Sequence, residues 1–231
     1  MAKHIGIVAC SAEGAALCYR TICTEAPEVL GKYAHPEVTM HTFSLAEYMR
    51  YIEAGDWKSI ADLMLASVVK VAGAGAEFAI CPDNTIHQAF EIFIDKSPIP
   101  WLHIAGVVAE EAGRHRYKRL GILGTRFLME GPVYPEKLDA AGIKHLIPEK
   151  EDRERINAII LDELVAGIFT DESRSYFSGV INWLKDRGCD AVVLGCTEIP
   201  LIVTQESSPL PVLDSTRLLA RAALKKAIKA A

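Results

Sequence analysis

The chain has 231 residues, of which 50% are hydrophobic, and it carries a formal net charge of -5. This mildly acidic, apolar composition is typical of a globular protein and argues against a surface for nucleic acid or anionic membrane. Its longest apolar runs, such as 191–194, are far too short to cross a bilayer. The N-terminal segment enters a strand pattern without the apolar region of a signal peptide, so we expect a cytoplasmic protein.

Strand and helix patterns alternate along the chain. Short β-rich runs occur at 4–9, 38–43, 78–81, 101–104, 120–123, 144–147, 191–194 and 212–213. Apolar residues at three- and four-residue spacing predict helices between them, most clearly at 57–72, 153–166 and 171–187. This alternation predicts an α/β fold with mostly parallel sheets.

The sequence contains an internal repeat. Three pairs of segments match in the same order: 3–11 with 118–126, 75–85 with 188–198, and 97–103 with 208–214, at offsets of 115, 113 and 111 residues. We therefore expect two similar Rossmann-like lobes related by a pseudo-twofold axis. Lobe one would comprise residues 1–96 plus 214–231, and lobe two residues 97–213.

Polar clusters follow two corresponding strands of this repeat. Asp83-Asn84-Thr85 comes after the strand at 78–81, and Cys196-Thr197-Glu198 comes after the strand at 191–194. Ligands of open α/β sheets bind outside the carboxyl ends of strands. Two facing lobes would present one cluster to each side of a ligand held in the cleft between them. Groups placed in this way suit removal of a proton from one face of a carbon and delivery to the other, which is racemisation or epimerisation.

The sequence contains six cysteines: Cys10, Cys18, Cys23, Cys81, Cys189 and Cys196. They contain no Cys-x-x-Cys pair, which favours free thiols in a reducing compartment and argues against a metal site. For Cys196, a following helix N-terminus would lower the thiol pKa and favour the thiolate, and the same backbone groups would suit a carboxylate ligand.

Two motifs carry a family resemblance. Asn84-Thr85-Ile86-His87 is similar to the C/T-N-T-x-H motif, and Leu194-Gly195-Cys196-Thr197-Glu198-Ile199 is similar to the second-lobe G-C-T-E motif, of the aspartate/glutamate racemase family. Three further segments also fit: 11–13, 102–105 and 121–125. The sequence therefore resembles the cofactor-independent amino-acid racemases over nearly its whole length.

The resemblance implies an enzyme that needs no cofactor or metal and uses one acid/base residue from each lobe. Cys196 matches the second family cysteine. Asp83 stands where the first cysteine is usual. We expect a racemase of a small amino acid, with acidic amino acids among the candidates, and lopsided catalysis because a carboxyl and a thiol differ in acidity.

The resemblance also implies substrate contacts and an oligomer. The small polar residues that match family positions for the substrate α-carboxylate are Ser11, Asn84, Thr85, Thr125 and Thr197. Arg155, and more loosely Arg50, match basic residues that hold a distal carboxylate, which a bidentate arginine binds well. The family commonly forms dimers, so we expect a homodimer.

Other interpretations of these residues remain open. Asp83 fits an N-cap as well as an acid/base, Cys196 fits a small buried apolar residue, and Arg155 fits a solvated helix charge. The chain could be a degenerate family member that binds an amino acid or dicarboxylate without turning it over. It could also be a relative with a different reaction, such as a hydantoin racemase, maleate isomerase or malonate decarboxylase.

Overall fold

The computed structural model describes residues 2–228, in which strands and helices alternate as the sequence predicts. The strands are β1 Ile5–Ala9, β2 Val38–Thr42, β3 Phe78–Ile80, β4 Trp101–Leu102, β5 Arg119–Leu123, β6 Lys144–Leu146, β7 Ala191–Leu194 and β8 Val212–Asp214. Each strand begins and ends within one residue of its predicted bounds, except that β4 ends two residues early.

Eleven α-helices connect the described strands. They are α1 Ala12–Glu25, α2 Pro27–Leu30, α3 Leu45–Ala54, α4 Trp57–Gly73, α5 Phe90–Phe93, α6 Ile104–Arg114, α7 Arg126–Met129, α8 Val133–Ala140, α9 Lys150–Ala158, α10 Asp171–Asp186 and α11 Ser215–Ile228. Across residues 2–228, none of them is long and apolar enough to cross a membrane.

The helix predicted at 153–166 changes its winding along its length. It begins as α9, widens to a π-helical turn at Ile159–Glu163 and tightens to a 3₁₀ turn at Leu164–Ala166. Gly167 ends it with a left-handed backbone at φ 74°. The apolar spacing therefore predicted a helical segment correctly but not the irregular turns within it.

The first unit comprises the residues up to Val107 together with those from Thr216 onward. Its sheet has the order β2-β1-β3-β4, and all its strand pairs are parallel. Helix α11 is tied to the start of this sheet, since the Lys3 N–H donates to the Ala227 carbonyl at 3.0 Å. Its core combines strand residues with one face of α1 and of α11: Ile5, Ile7, Ala9, Ala15, Cys18, Ile22, Phe78, Ile80, Ile104, Val107, Leu219, Ala220, Ala223 and Ala227.

The second unit spans Val108–Ser215. Its sheet has the order β6-β5-β7-β8, again with parallel pairs only. Strand β7 is buried along its whole length, as expected for a central strand covered on both faces. The core lies mainly between β7, the 150–164 helical segment and α10.

The unit boundaries differ from those predicted from the sequence. The expected boundaries fell at 96/97 and 213/214, but Trp101–Leu102 pairs with β3 and so completes the first sheet. In the same way Asp214, predicted in lobe one, pairs with Leu194 as part of β8. The chain leaves each unit only after its fourth strand, because that strand is needed to cover the edge of the central one.

The repeat is visible in packing as well as in topology. An added Cβ at Gly6 of β1 would lie 2.8 Å from the Val71 side chain of α4, and at Gly121 of β5 it would lie 2.6 Å from the Leu184 side chain of α10. Each glycine thus lets a helix approach its sheet closely. Two strands matched in the sequence therefore have the same structural role in the two units.

Candidate functional site

The carboxyl edge of the first sheet brings Ser11 and Asp83 together. Ser11 follows β1 and Asp83 lies shortly after β3, and these strands are parallel neighbours. The Ser11 N–H donates to Asp83 Oδ2 at 2.8 Å, and the Ser11 hydroxyl donates to the same oxygen at 3.1 Å. Two such donors stabilise a carboxylate in its ionised form. The half-buried Asp83 side chain is therefore held as a hydrogen-bond acceptor.

The backbone of the Asp83 loop is fixed by a buried histidine. His87 Nδ1 donates to the Asp83 carbonyl at 2.7 Å, while the Ile104 N–H points to His87 Nε2 at 3.5 Å. This pairing assigns the proton to Nδ1 and leaves Nε2 as the acceptor. The Cys81 thiol lies 3.8 Å from the same carbonyl, and burial raises its pKa well above the usual range. His87 therefore positions the loop through its hydrogen bond to the Asp83 carbonyl.

The residues after Asp83 form a short 3₁₀ helix. It spans Thr85–Ala89, and its cap position is Asn84. Asn84 is buried and Thr85 is half-buried. Asp83 directly precedes the cap position, and its Oδ2 accepts the two hydrogen bonds from Ser11.

The corresponding loop of the second unit follows β7 through Gly195. The Gly195 N–H donates to the Leu123 carbonyl at 2.7 Å, which joins the ends of β5 and β7. A Cβ at Gly195 would overlap the Leu128 side chain and lie 2.9 Å from the Leu123 carbonyl oxygen. Only glycine therefore allows the backbone to pass here and present Cys196.

Cys196 lies beside a buried carboxylate. Its Sγ donates to Glu198 Oε2 at 2.8 Å, and the Thr197 hydroxyl donates to the same oxygen at 2.7 Å. Glu198 is only 6% exposed, whereas Cys196 is half-buried. In this arrangement the Cys196 thiol is the donor and the Glu198 side chain is the acceptor.

The expected helix N-terminus after Cys196 is a single 3₁₀ turn at Ile199–Leu201. The dipole of so short a helix is small, because the effect requires several aligned peptide units. The neighbouring charge is instead the Glu198 carboxylate. The local electrostatics of Cys196 therefore differ from the sequence-based expectation of a helix-activated thiolate.

Thr125 occupies the end of β5 on the same edge. It caps α7, and its hydroxyl accepts from the Leu128 N–H at 3.3 Å. Thr197 is buried, and Thr125 is half-buried. The second unit thus gathers Thr125, Cys196 and Thr197 at the carboxyl ends of two adjacent strands.

The two predicted arginines lie on exposed helix surfaces. Arg155 on α9 donates to Glu172 at 2.9 Å and lies over the Tyr176 ring at 5.1 Å. Arg50 on α3 donates to the hydroxyl of Tyr51. Since a helix turns by about 100° per residue, Arg50 points away from the face of α3 that buries Tyr48. Both guanidinium groups, of Arg155 and of Arg50, therefore donate hydrogen bonds to neighbouring side chains of the protein.

The sequence predicted no role for two residues in or near these loops, Glu198 and Tyr48. Glu198 was identified from the sequence only as part of the G-C-T-E motif. In the structure its side chain accepts the Cys196 hydrogen bond. Tyr48 is completely buried, and its pKa is raised by burial and by the nearby groups Cys81, Cys10 and Asp83. The spacing of Tyr48 and Ile52, four residues apart on one helix face, is the signal that could have identified Tyr48 as inward-facing.

The fold and these loops define an α/β protein with two units of equal strand order. Each unit places a titratable side chain, Asp83 or Cys196, after its third strand in chain order. Across residues 2–228, no group of three or more His, Cys, Asp and Glu side chains is arranged to hold a metal ion.

Comparisons with known proteins agree with this description. Residues 5–223 match the family model of the Asp/Glu/Hydantoin racemases. The chain is 31% identical to a protein of Yersinia pestis assigned to the Asp/Glu racemases, with a TM-score of 0.91 over 98% of this chain and 99% of the other. It is 26% identical to an aspartate racemase homologue from Pyrococcus horikoshii OT3, with a TM-score of 0.85 over 98% and 99%. It is also 23% identical over 161 residues to the broad specificity amino-acid racemase RacX of Bacillus subtilis (strain 168), covering 68% of each chain.

The chain belongs to the Asp/Glu/Hydantoin racemase family. This confirms the family resemblance and the fold class predicted from the sequence.

Proposed function

We propose that this protein racemises a small amino acid without a cofactor, using Asp83 and Cys196 as its two acid/base residues. The observation that carries this proposal is the opposite hydrogen-bonding state of the two side chains. Asp83 accepts two hydrogen bonds from Ser11, and Cys196 donates one to Glu198. At corresponding positions of the repeat, one group is thus ready to take a proton and the other to give one.

The reaction follows from these states if the two groups act on opposite faces of the substrate α-carbon. Asp83 removes the α-proton, so the C–H bond breaks and the electron pair passes into the substrate carboxylate as an enediolate. Cys196 then delivers its S–H proton to the other face, and a new C–H bond forms. The enzyme is left with a neutral Asp83 carboxyl and a Cys196 thiolate, and proton exchange with water restores the starting state.

The two acid/base groups differ in strength, which makes the catalysis lopsided. Asp83 accepts both Ser11 hydrogen bonds as a carboxylate, which is a weak base and carries no proton to return to the α-carbon. The ordinary pKa values of a carboxyl and a thiol also differ by about 4.6 units. We therefore propose that one direction is faster and that the Asp83 side limits two-way inversion.

Substrate contacts come from the polar residues of the same loops. We assign the substrate α-carboxylate to the five small polar residues at these strand ends: Ser11, Asn84, Thr85, Thr125 and Thr197. An acidic side chain would use Arg155, with Arg50 as the looser candidate. Arg155 would then exchange Glu172 for the substrate carboxylate, so small neutral amino acids are equally good candidates, in keeping with a broad specificity racemase among the relatives.

Proton exchange in deuterium oxide tests this function directly. The protein is incubated with each amino acid in turn, exchange of the α-proton is followed by NMR, and the enantiomers are separated by chiral chromatography. Exchange with inversion is expected for at least one small amino acid. Lack of exchange for every amino acid, in either enantiomer, would reject the proposal.

A binding protein without turnover is the second candidate. The two Ser11 hydrogen bonds at Asp83 favour it, because they would also suit a carboxylate retained only to join two strand ends. The two candidates separate in the same experiment. A binding protein would show saturable amino-acid binding by calorimetry with no α-proton exchange.

We also propose that the protein works as a cytoplasmic homodimer. Light scattering should give a mass near twice the 25.3 kDa of one chain. A single species at the mass of one chain would contradict this assembly.

A further inference from the structure

The second unit contains a polar cavity that lies apart from the proposed substrate contacts. Its volume is about 240 Å³, and it is formed between α10 and the chain that follows the Cys196 loop. Its polar lining consists of one arginine, Arg174, and three serines, Ser175, Ser178 and Ser207. Arg174, Ser175 and Ser207 are exposed, so a ligand from solvent can reach them. Among the described lining residues the only charge is positive.

Helix periodicity builds one wall of this cavity. Arg174, Ser178 and Ile181 follow one another at spacings of four and three residues, so they share one face of α10. The opposite wall is the pair Ile202 and Val203, directly after the 3₁₀ turn of the Cys196 loop. Ile181 and both residues of this pair are buried, so the cavity has an apolar floor beneath a polar rim. An ion pair over such a floor is screened less than one in bulk water.

Arg174 is held in place but its charge is not neutralised. Its Nη1 donates to the Ile202 carbonyl at 3.2 Å, which joins α10 to the opposite wall. Two other arginines of the same unit, Arg153 and Arg155, each pair with a glutamate, at 3.0 and 2.9 Å. Within residues 2–228, Arg174 forms no such ion pair. Its positive charge and most of its N–H donors therefore remain available to a ligand.

The serines add hydrogen-bond donors beside this charge. Across the described residues 2–228, the hydroxyls of Ser175 and Ser178 bond to no other group of the protein. The Ser207 hydroxyl is instead used within its own turn, where it accepts from the Thr204 N–H at 2.9 Å. The acidic residue of that turn, Glu206, is hydrogen-bonded to Thr204 and lies outside the cavity lining. One cation and two available hydroxyls thus face the same space.

We propose that this cavity binds a phosphate group, held by Arg174, Ser175 and Ser178. A guanidinium presents paired N–H groups to two oxygens of an oxyanion, and hydroxyls can donate to the remaining oxygens. The cavity is smaller than the about 300–1,000 Å³ of pockets for drug-sized ligands, so it suits a small ion and not a nucleotide. This inference is independent of the proposed racemase activity, because it uses no residue of that mechanism.

Calorimetry with inorganic phosphate tests the site on the full chain, with sodium chloride added to keep the ionic strength constant. The wild-type protein should bind one phosphate per chain. Its melting temperature should rise with phosphate concentration, because a ligand that binds only the folded state stabilises it. Arg174→Gln should raise the dissociation constant about 10- to 100-fold, the range for hydrogen bonds to a charged group. Lack of saturable phosphate binding by the wild-type protein would overturn the inference.

Three further variants distinguish a specific site from general attraction to positive charge. Arg174→Lys keeps the charge but loses the paired N–H groups, so phosphate affinity should fall nearly as far as in Arg174→Gln. Ser178→Ala leaves Arg174 and its bond to Ile202 in place and should weaken phosphate binding by about 2- to 10-fold. Arg20→Gln on α1 is the matched control, since Arg20 is also exposed and has no ion pair within residues 2–228. Equal losses of affinity in Arg20→Gln and Arg174→Gln would overturn the inference.

Other anions define which ligand the cavity takes. Sulfate has the same tetrahedral shape as phosphate and should also bind, whereas acetate should bind at least about 10-fold more weakly. Acetate binding as tight as that of phosphate would reject the assignment to phosphate. Glycerol 3-phosphate separates the two sources of the group: affinity equal to that of the free ion supports the phosphate of a small metabolite, and much weaker binding supports inorganic phosphate alone. None of these measurements requires turnover, so a failure of the proposed racemase activity would leave their outcome unchanged.

Discussion

The two units share their scaffold and differ in the side chain that each presents. Both have the same strand order, and in both a glycine of the first strand lets the helix preceding the third strand approach closely. The loop after the third strand carries Asp83 in one unit and Cys196 in the other. The first accepts hydrogen bonds from Ser11, and the second donates one to Glu198. A repeated fold thus fixes where the two side chains lie, while the residue beside each determines whether it accepts or donates a hydrogen bond.

The largest effect should come from removing the donor of the pair. Cys196→Ala leaves no group to return a proton on its side, and general acid/base residues contribute about 10²- to 10⁴-fold. We expect inversion and α-proton exchange on that side to fall by about 10³-fold or more, measured by NMR in deuterium oxide. Full activity in this variant would remove Cys196 from the mechanism.

Chemical labelling provides an independent check on Cys196. Only Cys196 and Cys23 are half-buried, while the other four cysteines are buried. In the second unit burial also raises the pKa of Cys189 to about 11. Iodoacetamide should therefore modify Cys196 and Cys23 before the four buried thiols, and Cys196 first in a Cys23→Ser control, as read by mass spectrometry. Faster labelling of any buried thiol would contradict the assignment.

Exchanging the acceptor tests the difference between the units. Asp83→Asn keeps an oxygen for the Ser11 N–H but cannot take a proton, so substrate binding should persist while inversion falls about 10²-fold. Asp83→Cys makes the two positions chemically alike and should raise two-way racemisation. Chiral chromatography from each enantiomer measures both directions. Unchanged rates in the cysteine variant would mean that Asp83 is structural.

The backbone before each reactive residue also differs, with Pro82 in the first unit and Gly195 in the second. Gly195→Ala forces a Cβ against the Leu128 side chain and the Leu123 carbonyl oxygen. Overpacking of this kind should lower the free energy of unfolding by about 1–3 kcal/mol in urea denaturation. The control is Gly179→Ala on α10, where an added Cβ meets nothing within 4 Å. That substitution should raise stability by about 0.5–1 kcal/mol through helix propensity. Equal effects of the two variants would refute the close approach at Gly195.

The smallest effect concerns a histidine on the outer strand of the first unit. His41 bonds to Ser67 at 2.9 Å, approaches Lys70 at 3.0 Å and packs edge-on against Phe43 at 4.8 Å. Burial and then the charge of Lys70 lower its pKa. In the second sheet, strand β6 ends opposite Gly121, before it reaches the position that corresponds to His41. The second unit therefore has no strand residue that matches His41.

The sign of the resulting pH dependence follows from that lowered pKa. The unfolded chain binds a proton at His41 more readily than the folded one, so stability is complete above the ordinary histidine pKa of about 6.5 and falls as the pH drops. Between pH 7.5 and 5.5 the melting temperature should decrease by a small amount. His41→Gln should flatten this slope, and an unaltered slope would show that other groups produce it.

Much of the fold could be predicted from the sequence, because strong local patterns coincide with the tertiary structure. The run 191–194 is apolar throughout and becomes a central strand buried on both faces. The predicted unit boundary at 96/97 was wrong because the true boundary depends on a contact between residues far apart in the sequence. Trp101–Leu102 is only two residues long, and its membership depends on pairing with β3, a non-local contact.

The site was predictable in its positions but not in its contacts. Asp83 and Cys196 could be identified because strand ends and motifs are local features. The hydrogen bond from Ser11 to Asp83 joins residues 72 apart in the sequence, and the direction of the Cys196 bond depends on how Glu198 folds back into a buried position.

The amide of Ser11 offers a consequence of a different kind. Its proton points at the Asp83 carboxylate at 2.8 Å, so its NMR chemical shift should report the charge on that carboxylate. A titration followed at this one resonance would measure the ionisation of the proposed base in the resting protein, with no substrate and no turnover. Repeated with a bound ligand, it would record the change in ionisation that binding causes. The backbone amide of Ser11 thus serves as a spectroscopic sensor of the proposed acid/base residue in the same unit.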